Sequence, residues 1–178
     1  KNVQYHHGLL PSCKKITKWG NAYYRICTKS LGFKTDCSFS AKASGHYDVA
    51  FIGDSFTEAV GVTYEKSFVG LFDHANPMVE VANLGVSSYS PSIYYKKIKT
   101  LLDEGVTFNH LIVFLDISDI QDEVIYDTDK NGNVIENKKF RARSTILEAK
   151  HWVSNNFYLS MFAYKSLKAF FTKKILVK

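Results

Sequence analysis

The stretch that decides the fold is Asp48-Val49-Ala50-Phe51-Ile52-Gly53-Asp54, a short β-prone apolar run that a Gly-Asp pair closes. Its length and its boundary are typical of a buried strand. A second short run, Met78 to Ala82, ends at Asn83-Leu84-Gly85, and a third, His110 to Leu115, is almost continuously apolar. A continuous apolar run is typical of a strand that helices cover on both faces.

Helical segments separate these three predicted strands. Residues 68–72 offer an apolar helical face after the first strand. After the second strand, Ser90 and Pro91 open a helix as N-cap and first helical residue, and Gly105 ends it. Strands that alternate with helices indicate β-α-β units and a parallel sheet. We therefore predict an α/β fold, a flavodoxin-like three-layer sandwich with a mostly parallel sheet.

The length of 178 residues suits one domain. Residues 1–45 carry many turn formers and few periodic signals, so we expect an irregular lead-in that packs on the core. Residues 46–178 then form the α/β domain, which includes a hairpin at 125–136, signalled by Asn131-Gly132. An amphipathic C-terminal helix is predicted at 154–175, with a solvated basic face; contact with a membrane surface is the alternative for that face.

Composition narrows the class of protein. Hydrophobic residues make up 46% of the chain, with 3 Pro and 10 Gly, which argues against disordered and collagen-like proteins. Lys and Arg number 23 against 17 Asp and Glu, but the basic residues form no recognisable nucleic-acid-binding motif, so we expect no nucleic-acid partner. No apolar run reaches the roughly 18 residues that a membrane-spanning helix needs.

Three cysteines, Cys13, Cys27 and Cys37, lie near the start of the chain. They form no C-x-x-C pair, so the sequence supports neither a zinc site nor a thioredoxin-like motif. One disulfide with a spare thiol and three reduced thiols fit this count equally well, and the redox compartment stays open.

Ser55 follows Gly53-Asp54 at the end of the first predicted strand. The carboxyl edge of an open α/β sheet is where ligands bind. A serine hydroxyl can face a crevice there, while backbone N–H groups of the following helix stabilise a developing oxyanion. The alternative is an ordinary β-α turn in which the serine caps a helix.

Three blocks that follow the three strands carry a resemblance. Residues 53–58 read GDSFTE, residues 83–91 read NLGVSSYSP and residues 114–119 read FLDISD. Together they resemble the SGNH (GDSL) hydrolase superfamily, and within it the AlgX/AlgJ-like O-acetyltransferase group. Tyr5-His6-His7, with residues 30–34, is similar to the lead-in of bacterial members.

The resemblance implies that Ser55, preceded by Asp54, is the catalytic nucleophile. In such enzymes the oxyanion hole consists of the N–H of this serine, a second backbone N–H after strand two and an Asn side chain after strand three. The resemblance thus implies acyl chemistry through a serine, with no cofactor.

The chain departs from the superfamily at two oxyanion positions. Ser88 stands where the superfamily has a glycine, and Ser118 replaces the Asn amide with a shorter hydroxyl donor. Losing one such donor costs roughly 3 kcal/mol of transition-state stabilisation. Gly85 and Asp119 are assigned to substrate binding, and Gly85 is expected to be a turn residue rather than a donor.

The general base is missing from its usual motif. A serine needs a base, commonly His oriented by a carboxylate, and no D-x-x-H or D-x-H occurs in the chain. We expect this acid-base block beyond Lys178, so that the predicted domain is incomplete. His6-His7 reaches the site only if the lead-in folds over it. The remaining histidines are predicted away from Ser55 or on a solvated helix face: His46, His74, His110 and His151.

Two acidic patterns resemble metal sites. Asp127 to Gly132 matches the first half of an EF-hand loop, but position twelve is Lys138 where a Glu is required, which favours the hairpin. The acidic residues after the third strand lack a nearby His and are predicted to form a polar loop: Asp116, Asp119, Asp122 and Glu123. We predict neither a metal nor a cofactor.

The resemblance implies a serine esterase or O-acyltransferase that acts on acylated cell-envelope carbohydrate or a small acyl ester, in the periplasm or cell envelope. A second interpretation is an inactive SGNH-like carbohydrate-binding or assembly module, because the base motif is absent and Ser118 replaces Asn. Fold alone does not decide between them. Association with a membrane or an envelope complex is left open, and the start at Lys1 without Met leads us to expect a preceding segment.

Overall fold

The computed structural model describes Asn2, residues 4–38 and residues 43–137. The chain divides into two compact units, Lys1–Glu136 and Asn137–Lys178. Apart from Asn137, the described residues all belong to the first unit, and the helix predicted at 154–175 lies outside them.

The first unit contains eight strands and four α-helices among its described residues, together with a 3₁₀ helix at Tyr64–Lys66. The strands are β1 Lys14–Trp19, β2 Ala22–Thr28, β3 Lys34–Thr35, β4 His46–Ile52, β5 Val81–Asn83, β6 Thr107–Val113, β7 Tyr126–Thr128 and β8 Val134–Glu136. The helices are α1 Ser55–Glu58, α2 Phe68–Ala75, α3 Pro91–Asp103 and α4 Ile117–Glu123.

The fold is mixed α/β, with a six-stranded mixed sheet in the order β1-β2-β3-β5-β4-β6. The three strands expected from the sequence do pair in parallel, β4 with β5 and β4 with β6. The other three pairings are antiparallel. The prediction of a mostly parallel three-layer sandwich is therefore wrong, because β1, β2 and β3 extend the parallel core with antiparallel strands.

Those added strands lie in the stretch that was expected to be an irregular lead-in. β1 and β2 form a hairpin around Gly20 and Asn21, and Gly20 has the positive φ of 57° that such a tight turn needs. β3 joins the hairpin to the core through the pairing of Lys34 with Asn83 on β5. Most of residues 14–35 is thus regular structure within the main sheet.

The open question about the cysteines is resolved. Cys27 on β2 forms a disulfide with Cys37, which follows β3, and Cys13 keeps a free thiol. The disulfide fastens the hairpin to the strand that connects it to the core.

Strand β4 lies at the centre of the hydrophobic core. Tyr47, Ala50 and Ile52 pack in one cluster with α3, whereas Phe51 packs with Val69 of α2 in another. The backbone N–H groups of Asp48 and Val49 both donate to Glu80 O, at 2.8 and 3.2 Å. This bulge shifts the alternation of side chains, so Tyr47 shares a face with Ala50.

Strand β6 differs from its expected environment. Its apolar run was predicted to be covered on both faces, but β6 is an edge strand and its side chains are largely exposed among the described residues. Leu111 and Ile112, which point to opposite faces, are each 40% exposed.

The predicted start of α3 is confirmed: Ser90 is its N-cap and Pro91 its first residue. Gly105 follows its end with a φ of 86°, as expected for a helix stop. β7 and β8 pair antiparallel where the hairpin at 125–136 was expected. Asp129 accepts hydrogen bonds from the N–H groups of Asn131 and Asn133, both at 2.8 Å. The residues that resemble an EF-hand loop therefore stabilise the hairpin turn.

Reduction of the disulfide tests how much it stabilises the hairpin. Cys27 and Cys37 are separated by 10 residues, and closing a loop of that size stabilises a fold by about 2.5 kcal/mol. We expect the free energy of unfolding of a Cys13→Ser variant to fall by about this amount under reducing conditions. Urea unfolding with and without reductant measures it, and coincident curves would contradict the assignment.

Candidate active site at the carboxyl edge of the parallel strands

Three loops meet at one edge of the sheet because β5, β4 and β6 run parallel. Backbone hydrogen bonds continue the pairing past the strand ends: Leu84 N–H donates to Phe51 O at 2.8 Å and Phe114 N–H to Ile52 O at 2.9 Å. The segment after β4 carries Asp54 and Ser55. It is therefore flanked on one side by the loop after β5 and on the other by the segment after β6, which is the usual ligand-binding edge of an α/β sheet.

Asp54 and Ser55 begin the short helix α1. Asp54 is its buried N-cap, and its Oδ1 accepts a hydrogen bond from the N–H of Phe56 at 2.9 Å. The half-buried Ser55 donates from Oγ to Asp54 Oδ2 over 3.5 Å. As the first residue of the helix, Ser55 has no intrahelical acceptor for its N–H. Its hydroxyl and its N–H are thus both placed at the sheet edge.

Ser118 lies beside this pair on α4. Its Oγ is 2.5 Å from Asp116 Oδ1 and 3.2 Å from Asp54 Oδ2. A hydroxyl has one proton, so it donates to one of these carboxylates, and the shorter distance favours Asp116. Hydrogen bonds from the Ser118 side chain and backbone lower the pKa of Asp116. The structure therefore brings Asp54, Ser55 and Ser118 together.

Asp119 completes an acidic cluster with Asp54 and Asp116, whose ligand atoms lie within 4.8 Å of one another. Asp119 is buried, and burial raises the pKa of its carboxyl. Its oxygens accept bonds from Tyr94 OH at 2.9 Å and from Asp116 N–H at 3.0 Å. The hydrogen bonds of Asp119 and the helix-capping role of Asp54 give these carboxylates structural roles. A cluster of acidic side chains alone does not indicate a metal site.

The acidic residues that the sequence grouped together are divided in the structure. Asp116 and Asp119 belong to the cluster with Asp54, whereas Glu123 binds Ser92 at the start of α3 through the Ser92 N–H, at 3.1 Å, and through its hydroxyl. Burial raises the pKa of Asp122.

Gly85 is fixed by close packing against α1. A Cβ there would lie 2.5 Å from Glu58 N and 2.7 Å from the Thr57 carbonyl carbon, so only glycine fits. Its N–H donates to Asn83 Oδ1 at 3.0 Å. Gly85 is thus buried at a turn, with its donor already bonded.

Ser88 has the backbone conformation that favours glycine, with a φ of 59°. Its carbonyl accepts a bond from Tyr126 OH at 2.8 Å, while its own N–H has no acceptor among the described residues. Ser88 therefore offers an exposed backbone donor on the loop beside Ser55.

Buried ionisable groups hold the loop of residues 84–89. Glu58 Oε2 accepts a bond from Ser87 N–H at 2.6 Å. Lys97 Nζ donates to Leu84 O at 2.9 Å and contacts Tyr89 OH at 3.2 Å. Burial lowers the pKa of Lys97 to about 7, although the nearby Glu58 opposes the shift. Burial likewise raises the pKa of Glu58.

A second buried lysine secures α1 itself. Lys34 Nζ donates to the carbonyl oxygens of Glu58, Ala59 and Val62 at 2.8, 2.9 and 2.9 Å. Glu58 and Ala59 end α1 and Val62 lies in the turn that follows, so the ammonium group caps the helix and ties this turn to it. Burial lowers the pKa of Lys34 to about 8.

The lead-in histidines pack against the same loop. His7 Nε2 is 2.8 Å from Ser87 O, and Tyr89 OH donates to His7 O at 2.7 Å. Because a carbonyl only accepts, His7 Nε2 carries the proton, and in the neutral ring its Nδ1 accepts from His6 Nδ1 at 2.9 Å. Burial lowers the pKa of His7. The lead-in does fold over the loop after β5.

The other histidines have separate surroundings. His46 contacts Thr107 and Asp48, and His74 pairs with Asp36 at 3.1 Å. His110 lies on the exposed strand β6, and His151 is outside the described residues.

An apolar cavity of about 470 Å³ adjoins the acidic cluster. Its lining combines Asp116 and Asp119 with the side chains of Pro91, Leu115, Ile120 and Val124. A larger cavity, of about 860 Å³, includes Asp36, His74 and Glu80 near the start of β5 and none of the predicted site residues. The smaller cavity is therefore the one that belongs to this site.

Comparisons with protein-family models, with curated proteins and with solved structures give no significant match. Among the helices that the structure describes, none has the length and hydrophobicity that crossing a bilayer requires.

The sequence did not reveal the buried groups that shape this site. Lys97 lies four residues after Ile93 and four before Leu101, which are both buried on α3. This i, i+4 spacing placed Lys97 on the apolar stripe and was a usable signal. Lys34, Glu58 and His7 acquire their roles through contacts between segments distant in sequence, for which no local pattern exists.

Replacing Lys97 tests whether a buried, readily deprotonated amine holds the loop. Between pH 7 and 10.5 the unfolded chain carries a Lys97 proton that the folded chain largely lacks, so rising pH favours the folded state across this window. We compare the free energies of unfolding of the native protein and of Lys97→Met. As the pH rises through this window, we expect the difference in favour of the native protein to increase by up to about 1.4 kcal/mol per pH unit. Below the window, both states are protonated and the difference is constant.

Urea unfolding at several pH values across the window measures this gain. Lys99→Met is the matched control, because Lys99 is an exposed lysine on the same helix. Equal pH slopes for the native protein and Lys97→Met would contradict the account.

Proposed function

We propose that this protein is a serine esterase or O-acyltransferase that acts on acylated cell-envelope carbohydrate, with Ser55 as nucleophile. The observation that carries the proposal is the position of Ser55, half-buried at the edge where the loops after three parallel strands meet. The resemblance to SGNH hydrolases adds the substrate class. Fold alone would leave the chemistry open.

In the proposed reaction, Ser55 Oγ attacks the acyl carbonyl and loses its proton to a general base. The N–H groups of Ser55 and Ser88 then stabilise the oxyanion. Expulsion of the alcohol, which takes up a proton, leaves an acyl ester on Ser55, and water or a sugar hydroxyl resolves it. The apolar cavity beside Asp119 suits the acyl part of the substrate.

The proposed reaction needs a general base that takes the Ser55 proton. His7, His46 and His74 make ring hydrogen bonds elsewhere. The His6 ring also bonds to His7, and His110 lies on the exposed strand β6. We therefore assign the base to a residue outside the described part of the chain.

A second candidate function is an inactive carbohydrate-binding or assembly module. The contact between Ser118 Oγ and Asp116 favours it, because the hydroxyl that replaces the usual Asn already donates to a carboxylate. Three clustered carboxyl groups would also disfavour a developing negative charge.

The setting of the proposal is extracytoplasmic, in the periplasm or cell envelope. The Cys27–Cys37 disulfide supports an oxidising compartment. The proposed partners are an acylated carbohydrate or a small acyl ester and no nucleic acid, and association with a membrane or an envelope complex stays part of the proposal.

Hydrolysis of p-nitrophenyl acetate by the full-length protein tests the nucleophile. We expect Ser55→Ala to reduce turnover to the uncatalysed background, because the acyl-accepting oxygen is removed. Ser30→Ala is the control, since Ser30 is an exposed serine between β2 and β3. Equal turnover by Ser55→Ala and Ser30→Ala would overturn the assignment.

A change at Ser118 separates the two candidate functions. Ser118→Asn supplies an amide donor, and we expect kcat to rise at least about tenfold with KM little changed, because one oxyanion donor is worth up to 10²–10³-fold. Ser118→Ala should differ little from the native protein. The same acetyl ester assay measures both, and no turnover by the native protein and Ser118→Asn would favour the inactive module.

A further inference from the structure

We propose that the candidate site accepts a medium-chain acyl group, such as octanoyl, in the apolar cavity beside α4. The acyl groove is the part of that cavity formed by Pro91, Leu115, Ile120 and Val124. The inference rests on the proposed function, because it names the acyl group that Ser55 receives. It departs from the resemblance, which implies transfer of an acetyl group.

Helix α4 turns its apolar residues away from the core. Ile117, Ile120 and the C-cap residue Val124 follow one another at helical spacing, and they are 81%, 70% and 58% exposed. Asp119 of the same helix is buried. A surface helix of a globular protein normally buries its apolar side and exposes its charged side. The orientation of α4 therefore leaves an exposed apolar surface, which is typical of a binding site.

The acidic residues beside the acyl groove already have hydrogen-bond partners. Asp119 accepts from Tyr94 OH at 2.9 Å, Glu123 accepts from Ser92 N–H at 3.1 Å, and Asp116 caps the start of α4. These carboxylates point toward donors of the protein, so the surface of the cavity is mostly apolar. Its volume of about 470 Å³ is within the range of small-molecule pockets.

The acyl groove begins a short distance from the candidate nucleophile. Ser55 Oγ lies 3.5 Å from Asp54 Oδ2. One carboxylate oxygen of Asp54 lies within 4.8 Å of one oxygen of Asp116 and one of Asp119, and both of these residues line the cavity. An acyl chain on Ser55 therefore has to pass this acidic cluster before it reaches the groove.

The length of the acyl chain decides whether it reaches the groove. With bonds of about 1.5 Å and angles near 111°, an extended chain advances by about 1.25 Å per carbon. An acetyl group on Ser55 Oγ then extends about 2.5 Å and stays beside Asp54, whereas an octanoyl group extends about 10 Å and enters the groove. Only the longer chain removes methylene groups from water there, which favours its binding.

Hydrolysis of p-nitrophenyl octanoate and p-nitrophenyl acetate by the full-length protein tests the proposal. The two esters share a leaving group, so the ratio of their kcat/KM values reports on the acyl site. We expect the octanoate to be favoured at least about tenfold, because its buried methylenes strengthen binding. Ile120→Gln should reduce this preference at least about fivefold, because it places a polar group in the groove.

Ile16→Gln is the matched control. Ile16 is 70% exposed, as Ile120 is, but it lies on β1 and does not line the groove. The control should keep the full preference for the octanoate. Equal kcat/KM values for the two esters, or an equal loss of preference in both variants, would overturn the proposal.

Binding to Ser55→Ala separates this proposal from the catalytic one. Calorimetric titration should show that this variant binds 6-O-octanoylglucose at least about tenfold more tightly than 6-O-acetylglucose. Such selectivity without Ser55-dependent turnover would support the groove and remove the nucleophile. Ser55-dependent turnover without selectivity would retain the nucleophile and overturn the groove. Self-association that Ile120→Gln abolishes, with no selectivity between the sugars, would assign the groove to a second copy of the chain.

Discussion

The candidate site depends on two buried ionisable side chains, Glu58 and Lys97, that fix one loop. Glu58 accepts a hydrogen bond from the N–H of Ser87. Lys97 donates a hydrogen bond to the carbonyl oxygen of Leu84 and contacts Tyr89 OH. Burying such groups is costly unless they are hydrogen-bonded, and their shifted pKa values show burial pushing both toward the neutral form. Their bonds define the loop on which Ser88 adopts a left-handed conformation.

A similar constraint connects the antiparallel and parallel parts of the sheet. β3 is short, yet its residue Lys34 pairs with Asn83 on β5. The ammonium group of Lys34 also donates a hydrogen bond to the carbonyl oxygen of Glu58 at the end of α1. The added hairpin is therefore coupled to the helix that begins with Ser55. The β1–β2 hairpin and the candidate site belong to one compact unit for this reason.

Local patterns were enough to predict part of this structure. The apolar run ending at Gly53-Asp54 predicted β4, and the Ser90-Pro91 pair predicted the start of α3, because strand periodicity and helix capping are encoded within a few residues. Gly20-Asn21 between two β-prone runs is an equally local hairpin signal, which the prediction of an irregular lead-in missed. The exposure of β6 was beyond prediction, because an apolar run does not tell whether its strand is central or at an edge.

The candidate site, like the fold, could be predicted from the sequence only in part. Ser55 follows from its position at a strand end, but the contacts of Ser118 with Asp116 and Asp54 arise only when the loops meet. Those contacts work against the proposed catalysis, because they place carboxylates where an oxyanion hole needs hydrogen-bond donors. Peptide mapping by mass spectrometry after treatment with a fluorophosphonate tests the central claim most directly. The account predicts a covalent adduct on Ser55, and labelling of another serine with Ser55 unmodified would contradict it.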